Sequence, residues 1–413
     1  MLVLRGRSCE KLRYRGVIRI LSILKNRIVQ SLATTVAILH GAWLLTGCGK
    51  PLETAMPELQ PGLAYTNQVI ASGPISIHVV RVDRSRPASQ LRSVHAGNGA
   101  FGLANISDHL RGLPKVVGRP MAAINGDFYQ REGTYAGDPR GLQLIDGVLV
   151  SAPMGVCLWI DRAGEPHMDD VQSRFQLTWP DGSKVTLGFN EESAPNRLVL
   201  FAPSAGAATH TRGGREWILA PEASGTTSGL PIGARMKLRV TEIRDGGNSP
   251  IPTHGFVLSA GPALVRRLPT VNTQQVVEVD LSTSVPMNDA VSGIGGGPML
   301  VRNHRAVRIE IPDDDAYQFK SMKERHPRSA VGWNREHYFL VTVDGRQKES
   351  VGMTLEELGK HLAAIGCSEA MNLDGGGSAT LWADGRIRNH PSDGSERPIA
   401  NALVVVRPEN PAP

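Results

Sequence analysis

The stretch NLDGGGSATLW, residues 372–382, constrains the fold of this chain more than any other. An apolar, strand-like approach runs directly into Asp374, the three glycines Gly375–Gly377 and then Ser378. Because glycine has no Cβ, such a backbone can adopt left-handed dihedrals and approach a bound group closely. Its successive amides can converge on phosphate or carboxylate oxygens. A tight glycine-rich turn between two strands explains a lone triple glycine equally well. The other segments of the chain are therefore needed to distinguish a turn from an anion-binding loop.

Charge distribution argues against a nucleic-acid-binding protein. The 413 residues carry a formal net charge of +6 and are 41% hydrophobic, which is enough for one large core or two ordinary ones. Residues 1–47 contain eight of the 45 basic side chains and a single acid, Glu10. Residues 48–413 therefore hold 37 basic and 38 acidic side chains. A near-neutral body lacks the basic footprint that a nucleic-acid backbone requires.

The N-terminal segment has the pattern of an export signal. A basic region ends at Arg27, and residues 28–45 are largely apolar. The segment ends in Leu-Thr-Gly-Cys, which resembles a bacterial lipobox and predicts lipidation at Cys48. By resemblance to Gram-negative lipoproteins, Gly49 after this cysteine favours the outer membrane, with the protein facing the periplasm. A transmembrane anchor of 18 residues is the alternative interpretation.

Four segments follow from this pattern. Residues 1–47 are predicted to be a lipoprotein signal peptide, and 48–72, with three prolines and no periodicity, a tether. Residues 73–407 are predicted to form the domain, and 408–413 a C-terminal tail.

Cys157 and Cys367 lie in apolar surroundings and are predicted to be buried free thiols, although a single disulfide is an alternative in an oxidising compartment. With no His at ligand spacing, these cysteines predict no metal site.

Short apolar runs separated by turns predict a β-rich domain. Residues 76–82 read as a strand, residues 141–152 as a hairpin around Asp-Gly, and residues 174–290 as many short strands. The amphipathic stretch 354–366 predicts a helix that ends at Gly366. We therefore expect a mixed α+β fold, a single β-rich catalytic domain with a few helices. Its active-site crevice is expected to form from loops at strand ends.

Polar side chains recur at the predicted strand ends. Asn125, Asp127 and Tyr129 cluster after one strand, and a second triple glycine precedes Pro298. His326 and Arg328 approach another strand, while Asp344 and Arg346 follow a third. Loops at several strand ends tend to assemble one crevice in α/β arrangements. A common functional site is the economical explanation.

The order of these motifs resembles the phosphodiester glycosidase family. The resemblance rests on INGDFY, GGGPMLV, HPRSAVG, VDGRQ with GMTLEEL, AMNLDGGGSATLW, and PSD with ERPIANAL, over roughly residues 73–407. It implies hydrolysis of a sugar-1-phosphodiester, such as an N-acetylglucosamine-1-phosphodiester, here in envelope or extracellular glycans. The substrate partner is then a phosphorylated glycan. Asp127 departs from the family, where glycine is more usual, and marks a subgroup or a different substrate.

The residue types suit the two halves of that reaction. Arginine binds phosphate through two parallel hydrogen bonds and stays cationic, so Arg328, Arg346 and Arg397 are the candidate phosphate ligands, although pairing with surface acids explains any one of them equally well. An oxocarbenium-like sugar favours a nearby carboxylate, for which Asp374 ranks first, Asp127 second and Asp344 third. An Asp-Gly turn explains Asp344 without catalysis.

The remaining candidates have supporting roles. His326 is a candidate phosphate donor or general acid, although a lone His before Pro is more often a turn residue. Ser378 has no base at a recognisable spacing, so a hydrogen bond to phosphate or sugar is preferred over a nucleophilic role. The binding candidates beyond the arginines comprise sugar-binding or carboxylate-holding amides, the glycine amides and this serine: Asn125, Asn372, Gly375, Gly376, Gly377 and Ser378.

Two other functions stay open at this stage. One is a non-catalytic glycan-binding or exopolysaccharide-assembly lipoprotein that keeps the pocket without turnover. The other is a phosphodiesterase that cleaves P–O, which usually needs two metals held by clustered ligands, whereas the histidines here are scattered. No cofactor is predicted. Asp313–Asp315 offers carboxylates for calcium, although a solvated loop is the simpler interpretation, and the oligomeric state is open.

Overall fold

The computed structural model describes residues 56–84, 89–96, 100–222, 229–314 and 316–408. The predicted signal peptide, Cys48, Asp315 and the end of the predicted tail, 409–413, lie outside these ranges. Met56–Pro413 is one compact unit. Strands dominate the part of the chain that is described, and its three α-helices are α1 (Ile106–Arg111), α2 (Tyr317–Lys323) and α3 (Leu355–Ala364). The predicted β-rich α+β class with few helices is confirmed.

The strands follow one another along the chain with four short 3-10 turns among them. The 3-10 turns are Lys115–Val117, Pro203–Ala205, Val265–Arg267 and Gly376–Ser378. The strands are β1 (Glu58–Gln60), β2 (Leu63–Ile70), β3 (Ile75–Asp83), β4 (Gln90–His95), β5 (Arg119–Asn125), β6 (Gln143–Ile145), β7 (Val148–Ser151), β8 (Met154–Asp161), β9 (Pro166–Gln172), β10 (Gln176–Thr178), β11 (Lys184–Thr186), β12 (Gly188–Phe189), β13 (Leu198–Phe201), β14 (Arg215–Pro221), β15 (Arg235–Asp245), β16 (Phe256–Ala260), β17 (Val276–Asp280), β18 (Ala290–Gly295), β19 (Met299–Arg302), β20 (Arg305–Ala306), β21 (Arg328–Trp333), β22 (His337–Val343), β23 (Glu369–Asn372), β24 (Leu381–Ala383), β25 (Arg386–Ile387) and β26 (Asn401–Arg407).

These strands form four sheets. Sheet 1 has the order β1-β2-β3-β22-β21-β23-β19-β20, and sheet 2 the order β25-β24-β5-β26-β4. Sheet 3 is β7-β6-β18-β8-β9, and sheet 4 is β11-β10-β17-β15-β14-β16-β13-β12. Sheets 1 and 2 combine strands from both ends of the chain, so residues that are distant in sequence become neighbours.

Alternating side chains pack sheets 1 and 2 into layers. In β3, Val80 and Val82 face the core shared with sheet 2, whereas Ile77 and Val79 join the core beneath α3. In β26, alternate residues divide in the same way between the shared core and the core beneath α1. Because successive side chains of a strand point to opposite faces, a strand covered on both faces is apolar throughout. The order of layers is α3, sheet 1, sheet 2 and α1.

Helix α3 begins and ends where the sequence predicts. Thr354 accepts a hydrogen bond from the amide of Glu357, and the Glu357 carboxylate accepts one from the Thr354 amide, which forms a capping box. The chain leaves the helix through Gly366, whose φ of +98° suits glycine. The apolar side chains on its buried face, Leu355, Leu358 and Leu362, pack on sheet 1.

The middle of the chain forms sheet 4 over its own large core, as the turn-separated strands predict. Trp217, Phe256 and Leu258 are among its buried side chains. The predicted hairpin is also present, since β6 and β7 pair across Asp146 and Gly147, both with positive φ. Cys157 and Cys367 are buried free thiols, as predicted.

The predicted tether extends too far along the chain. Residues 63–70 form β2, which pairs with β3 along its whole length, and Leu63 is fully buried. Without this strand, β3 would present an unpaired edge next to the core. The LAYTNQVI stretch is rich in strand-forming residues, although it directly follows a segment with three prolines. In the ranges that the structure covers, no helix has the length and hydropathy to cross a membrane.

Candidate functional site

Asn125, at the end of β5, joins three strand ends at the centre of the site. Its side chain is fully buried. Its Oδ1 accepts hydrogen bonds from Ser329 Oγ at 2.6 Å and from the amide of Thr380 at 3.1 Å, and its Nδ2 donates to the carbonyl of Asp374 at 2.6 Å. The amide is therefore used within the protein. Asn125 positions the loop after β23, and the predicted contact with a sugar hydroxyl is not supported.

The glycine loop after β23 is pressed against neighbouring backbone. The amide of Asp374 donates to the carbonyl of Gly126 at 3.0 Å, and the amide of Gly376 donates to the carbonyl of Pro327 at 2.9 Å. A Cβ at Gly375 would lie 2.6 Å from that Pro327 oxygen, so only glycine fits there. Because the Gly376 N–H already has an acceptor, it is not available to an anion. This corrects the predicted anion nest at that residue.

Two arginines lie directly over the same glycines. A Cβ at Gly376 would be 3.2 Å from Arg346 Nη1, and a Cβ at Gly377 would overlap the side chains of Arg397 and Asp393. The groups that approach this backbone closely in the structure are two guanidinium ions of the protein itself, and close approach of a bound anion stays a prediction. The positive charge next to this loop is therefore supplied by the side chains of Arg346 and Arg397.

Arg346 and Arg397 differ in their partners. Arg346 is exposed, and its Nη2 lies 3.3 Å from both the hydroxyl of Tyr317 and Nδ1 of His326. Within the described ranges, no carboxylate pairs with it. Arg397 is paired with Asp393, with Nη2 to Oδ2 at 2.7 Å, and its Nη1 is 3.5 Å from Ser378 Oγ. Arg346 is thus the cation better placed to accept an external anion.

Arg328 does not join them, which corrects the prediction of a phosphate ligand. Its side chain is buried, and burial lowers its pKa to about 10. Nε donates to the carbonyl of Met353 at 2.8 Å, and Nη2 donates to the carbonyls of Ser321 at 2.6 Å and Glu324 at 2.8 Å. These contacts fasten the end of α2 to the strand that begins at Arg328. The residue is structural.

Two carboxyl groups at the site have raised pKa values. Asp374 is half-buried, and burial raises its pKa to about 6 against the hydrogen bond from Ser378 and the charge of Arg397. Burial raises the pKa of Asp127 to about 7, opposed by the amides of Gly141 and Phe128 and reinforced by Asp374. Asp127 Oδ1 and Oδ2 accept these two N–H groups, each at 2.7 Å. The two carboxyl groups are therefore electrostatically coupled, with Asp374 the more accessible.

Tyr129 lies near Asp374, and His326 lies next to Arg346. Burial raises the pKa of Tyr129; a hydrogen bond with Ser378 opposes this shift, and the charge of Asp374 adds to it. The Tyr129 hydroxyl donates a hydrogen bond to the carbonyl of Pro398 at 2.7 Å. His326 Nε2 lies 3.1 Å from Glu324 Oε2. Burial and the charges of two arginines lower its pKa, which favours the neutral ring at pH 7. His326 is therefore better suited to hydrogen bonding than to general acid catalysis.

Asp344 lies in a different group. Its carboxylate is 2.9 Å from Nε2 of His78 and 3.2 Å from Nδ1 of His390. Burial by itself would raise the pKa of Asp344. Hydrogen bonds with His78 and, to a smaller extent, with His390 outweigh burial and hold this pKa below its usual value. None of its side-chain hydrogen bonds reaches the glycine loop. The structure therefore gives no support to the third-ranked catalytic carboxylate.

Asn372 holds the second triple glycine. Its Nδ2 donates to the carbonyl of Gly297 at 2.9 Å, next to the cis bond before Pro298, while its buried Oδ1 has no partner among the residues described.

Two residues of the site were not predicted from the sequence: Tyr317, which contacts Arg346, and Asp393, which contacts Arg397. Asp393 ends the PSD motif and pairs with Arg397 four residues later. No pattern in the sequence indicated Tyr317.

Comparisons with known proteins agree with the motif order. Residues 233–406 match the family described as phosphodiester glycosidase. N-acetylglucosamine-1-phosphodiester alpha-N-acetylglucosaminidase of Mus musculus is 29% identical over 136 residues, 31% of this chain and 26% of that protein. The SPbeta prophage-derived uncharacterized protein YomE of Bacillus subtilis (strain 168) is 36% identical over 87 residues, 21% of this chain and 14% of that protein. The matched segment thus spans about a quarter or less of these relatives.

A solved structure shares the fold. The crystal structure of a hypothetical protein from Synechocystis aligns with a TM-score of 0.68 and 20% identity, covering 86% of this chain and 64% of that chain. At this identity the likeness concerns the fold alone. The family match includes Arg346, Asp374 and Arg397, which form the charged part of the site. Residues 233–406 of this chain thus match the phosphodiester glycosidase family, and these residues include the charged part of the site.

Proposed function

We propose that this chain hydrolyses the glycosidic C–O bond of a sugar-1-phosphodiester in an envelope or extracellular glycan. The substrate class is that of an N-acetylglucosamine-1-phosphodiester, which a relative's name contains. The same proposal includes export and lipid anchoring at Cys48 in the outer membrane, from the lipobox-like segment. The match of residues 233–406 to the phosphodiester glycosidase family supports a hydrolase of this kind.

One observation carries the proposal: the guanidinium of Arg346, which pairs with no carboxylate among the described residues, lies over the glycine loop that the Asp374 carboxyl group precedes. Arg346 reaches Gly376, and Asp374 immediately precedes the loop. A glycosyl phosphodiester needs this combination, because negative charge grows on the departing phosphate while positive charge grows on the sugar. The strand-end loops around these residues are the proposed crevice.

The chemistry divides between the two groups. Arg346, with Arg397 behind it, binds the phosphate and stabilises the departing phosphomonoester through charge-assisted hydrogen bonds. This leaving group needs little protonation, since the second pKa of a phosphomonoester is about 6. The Asp374 carboxylate faces the anomeric carbon and stabilises the oxocarbenium-like sugar or attacks it. Asp127 accepts hydrogen bonds from the amides of Phe128 and Gly141 and so orders the chain next to β5.

Isotope labelling distinguishes this reaction from P–O cleavage. The full chain is incubated with a sugar-1-phosphodiester in ¹⁸O water, and both products are analysed by mass spectrometry. We expect the label in the sugar. Label in the phosphate would refute glycosidic cleavage. No turnover across a panel of such substrates, together with tight glycan binding, would support a non-catalytic binding protein instead.

Asp374→Asn tests the carboxylate directly. We expect kcat to fall by roughly 10³-fold or more, because the charge that stabilises the sugar cation is removed. The folded state should persist, because an amide fits the same space. The exposed Asp289→Asn is the matched control and should retain activity. Activity of Asp374→Asn near that of the wild type would remove this residue from the mechanism.

The same carboxylate predicts the acidic limb of the pH–rate profile. With the pKa of Asp374 raised to about 6, kcat/KM should fall as pH decreases through about 6. A phosphodiester stays ionised over this range, so substrate titration does not contribute. His326→Gln should keep the limb. Its disappearance in that variant would assign the ionisation to His326.

A further inference from the structure

A group of potential metal ligands lies outside the glycine loop. His78 is in β3, Asp344 follows β22, and His390 lies between β25 and β26. Nε2 of His78, a carboxylate oxygen of Asp344 and Nδ1 of His390 all lie within 4.8 Å of one another. Sheet 1 brings the first two together, because Thr342 is the register partner of His78.

The separations are those of ligands that share one ion. Asp344 Oδ2 is 2.9 Å from His78 Nε2 and 3.2 Å from His390 Nδ1. Zinc binds imidazole nitrogen and carboxylate oxygen at about 2.0–2.2 Å, which places two ligands of one ion about 3 Å apart. The same carboxylate oxygen faces both rings, so one ion can contact all three groups with small side-chain shifts.

The outer contacts of these ligands are also in place. Nδ1 of His78 is 2.9 Å from the hydroxyl of Tyr65, and that hydroxyl is 3.3 Å from the carbonyl of Arg388. These hydrogen bonds allow Nδ1–H of His78 to donate to the tyrosine oxygen, while Nε2 keeps its lone pair for a metal. Asp344 Oδ1 accepts the amide of His390 at 3.0 Å, which leaves Oδ2 directed at the imidazoles.

Access and donor type indicate the class of ion. His78 and Asp344 are buried, whereas the side chain of His390 is 75% exposed, so water can complete the coordination. Two nitrogens and one oxygen suit zinc and similar transition-metal ions, while calcium and magnesium prefer oxygen alone. We propose that His78, Asp344 and His390 bind one divalent ion of the zinc class.

Such an ion would join two segments that carry arginines of the candidate site. Arg346 follows Asp344 by two residues, and Arg397 is in the same connection as His390. Gln347 Nε2 already donates to the carbonyl of His390 at 2.8 Å. The ion would therefore stabilise the arrangement of both segments. This positioning role requires no direct contact of the metal with substrate.

Titration of the metal-stripped full chain with Zn²⁺, by calorimetry, tests the proposal. We expect one equivalent to bind tightly, an excess of Ca²⁺ not to displace it, and Co²⁺ to give visible absorption typical of nitrogen and oxygen coordination. His390→Ala should weaken this binding by about 10²-fold or more, since a ligand is lost. The exposed position of His390 means that the variant should fold.

His167→Ala is the matched control, because His167 also pairs with an aspartate, Asp161, at 2.8 Å but has no second histidine. Zn²⁺ should raise the midpoint of thermal unfolding in the wild type and in this control, and not in His390→Ala. Equal Zn²⁺ binding by wild type and His390→Ala, or no binding of one equivalent by the wild type, would overturn the proposal. These readouts are independent of activity.

Discussion

Arg328 and Arg346 show how burial separates two arginines from neighbouring motifs. The guanidinium of Arg328 donates to three backbone carbonyls in the interior, whereas that of Arg346 is exposed and lies over the glycine loop. A side chain that already satisfies buried carbonyls cannot leave them without cost. The same residue type thus serves the fold at one position and is available to a ligand at the other.

The two corresponding alanine variants should behave in opposite ways. Arg328→Ala should lower the free energy of unfolding by about 3 kcal/mol, since buried carbonyls lose their donors. Arg346→Ala should change it by less than about 0.5 kcal/mol but reduce kcat/KM by about 10²-fold, the value of a charge-assisted phosphate contact. Urea unfolding and steady-state kinetics measure both. Unchanged kinetics in Arg346→Ala would contradict its assignment.

Asp127 makes stability depend on pH. Its pKa is raised from 3.8 to about 7 by burial, so the folded state binds the proton more tightly than the unfolded state. Its contribution to stability is therefore complete below about pH 4 and is lost as pH rises through about 7. This is opposite in sign to the usual salt-bridged aspartate.

Asp127→Asn isolates that dependence. Between pH 5 and pH 8, the free energy of unfolding of the variant should rise relative to the wild type by about 2 kcal/mol, because only the wild type loses a bound proton. Urea unfolding of both proteins at each pH gives the comparison. A difference that stays constant with pH would show that this carboxyl group titrates normally.

At the scale of elements, the surroundings of the loop after β23 explain why three consecutive glycines occupy it. Gly375 avoids the carbonyl of Pro327, Gly376 has a φ of +60° beneath Arg346, and Gly377 leaves room for Arg397 and Asp393. Each glycine answers a different steric requirement. Substitution at each position should therefore have its own effect.

Gly377→Ala should displace Arg397 while leaving the loop backbone allowed. Moving a paired guanidinium should cost about 1–3 kcal/mol of stability and lower kcat/KM. Gly112→Ala is the control, since a Cβ there meets its nearest atom at an ordinary 3.4 Å. Thermal unfolding and kinetics of the two variants check this. Equal behaviour of the variants would show that Arg397 relocates freely.

At the scale of the whole molecule, layers rather than local motifs hold the site. Strand β5 of sheet 2 ends at Asn125, and in sheet 1 strand β21 begins and strand β23 ends close to it, so that the hydrogen bonds of Asn125 connect all three. The shared core includes Ile124, Val331 and Met371 from these strands. The geometry of the site therefore depends on the packing of both sheets.

Strand β2 should be essential for this packing. A chain that starts at Gly73 lacks β2, loses its ladder with β3 and no longer buries Leu63. We expect it to be less stable than a chain that starts at Met56 by more than about 3 kcal/mol, or not to fold. Circular dichroism with urea unfolding compares the two. Equal stability would restore the prediction that residues up to 72 are a tether.

The sequence by itself determined the β-rich class, α3 with its cap, the Asp146-Gly147 hairpin and the resemblance to the phosphodiester glycosidase family that residues 233–406 carry. These features depend on local periodicity, on turn chemistry and on the order of motifs, all of which are written along the chain. It also indicated Asp374 as the catalytic carboxylate, which stays a prediction. The roles predicted for residues 1–55 stay predictions.

Only the tertiary structure separated Arg346 from Arg328, moved Asp344 away from the glycine loop and placed it between His78 and His390. Each of these outcomes depends on which distant backbone and side-chain groups surround the residue. Burial and hydrogen-bond partners come from sheet order, which pairs β3 with β22 and β5 with β26 across hundreds of residues. Motif spacing carries no information about such neighbours, because they are brought together by packing.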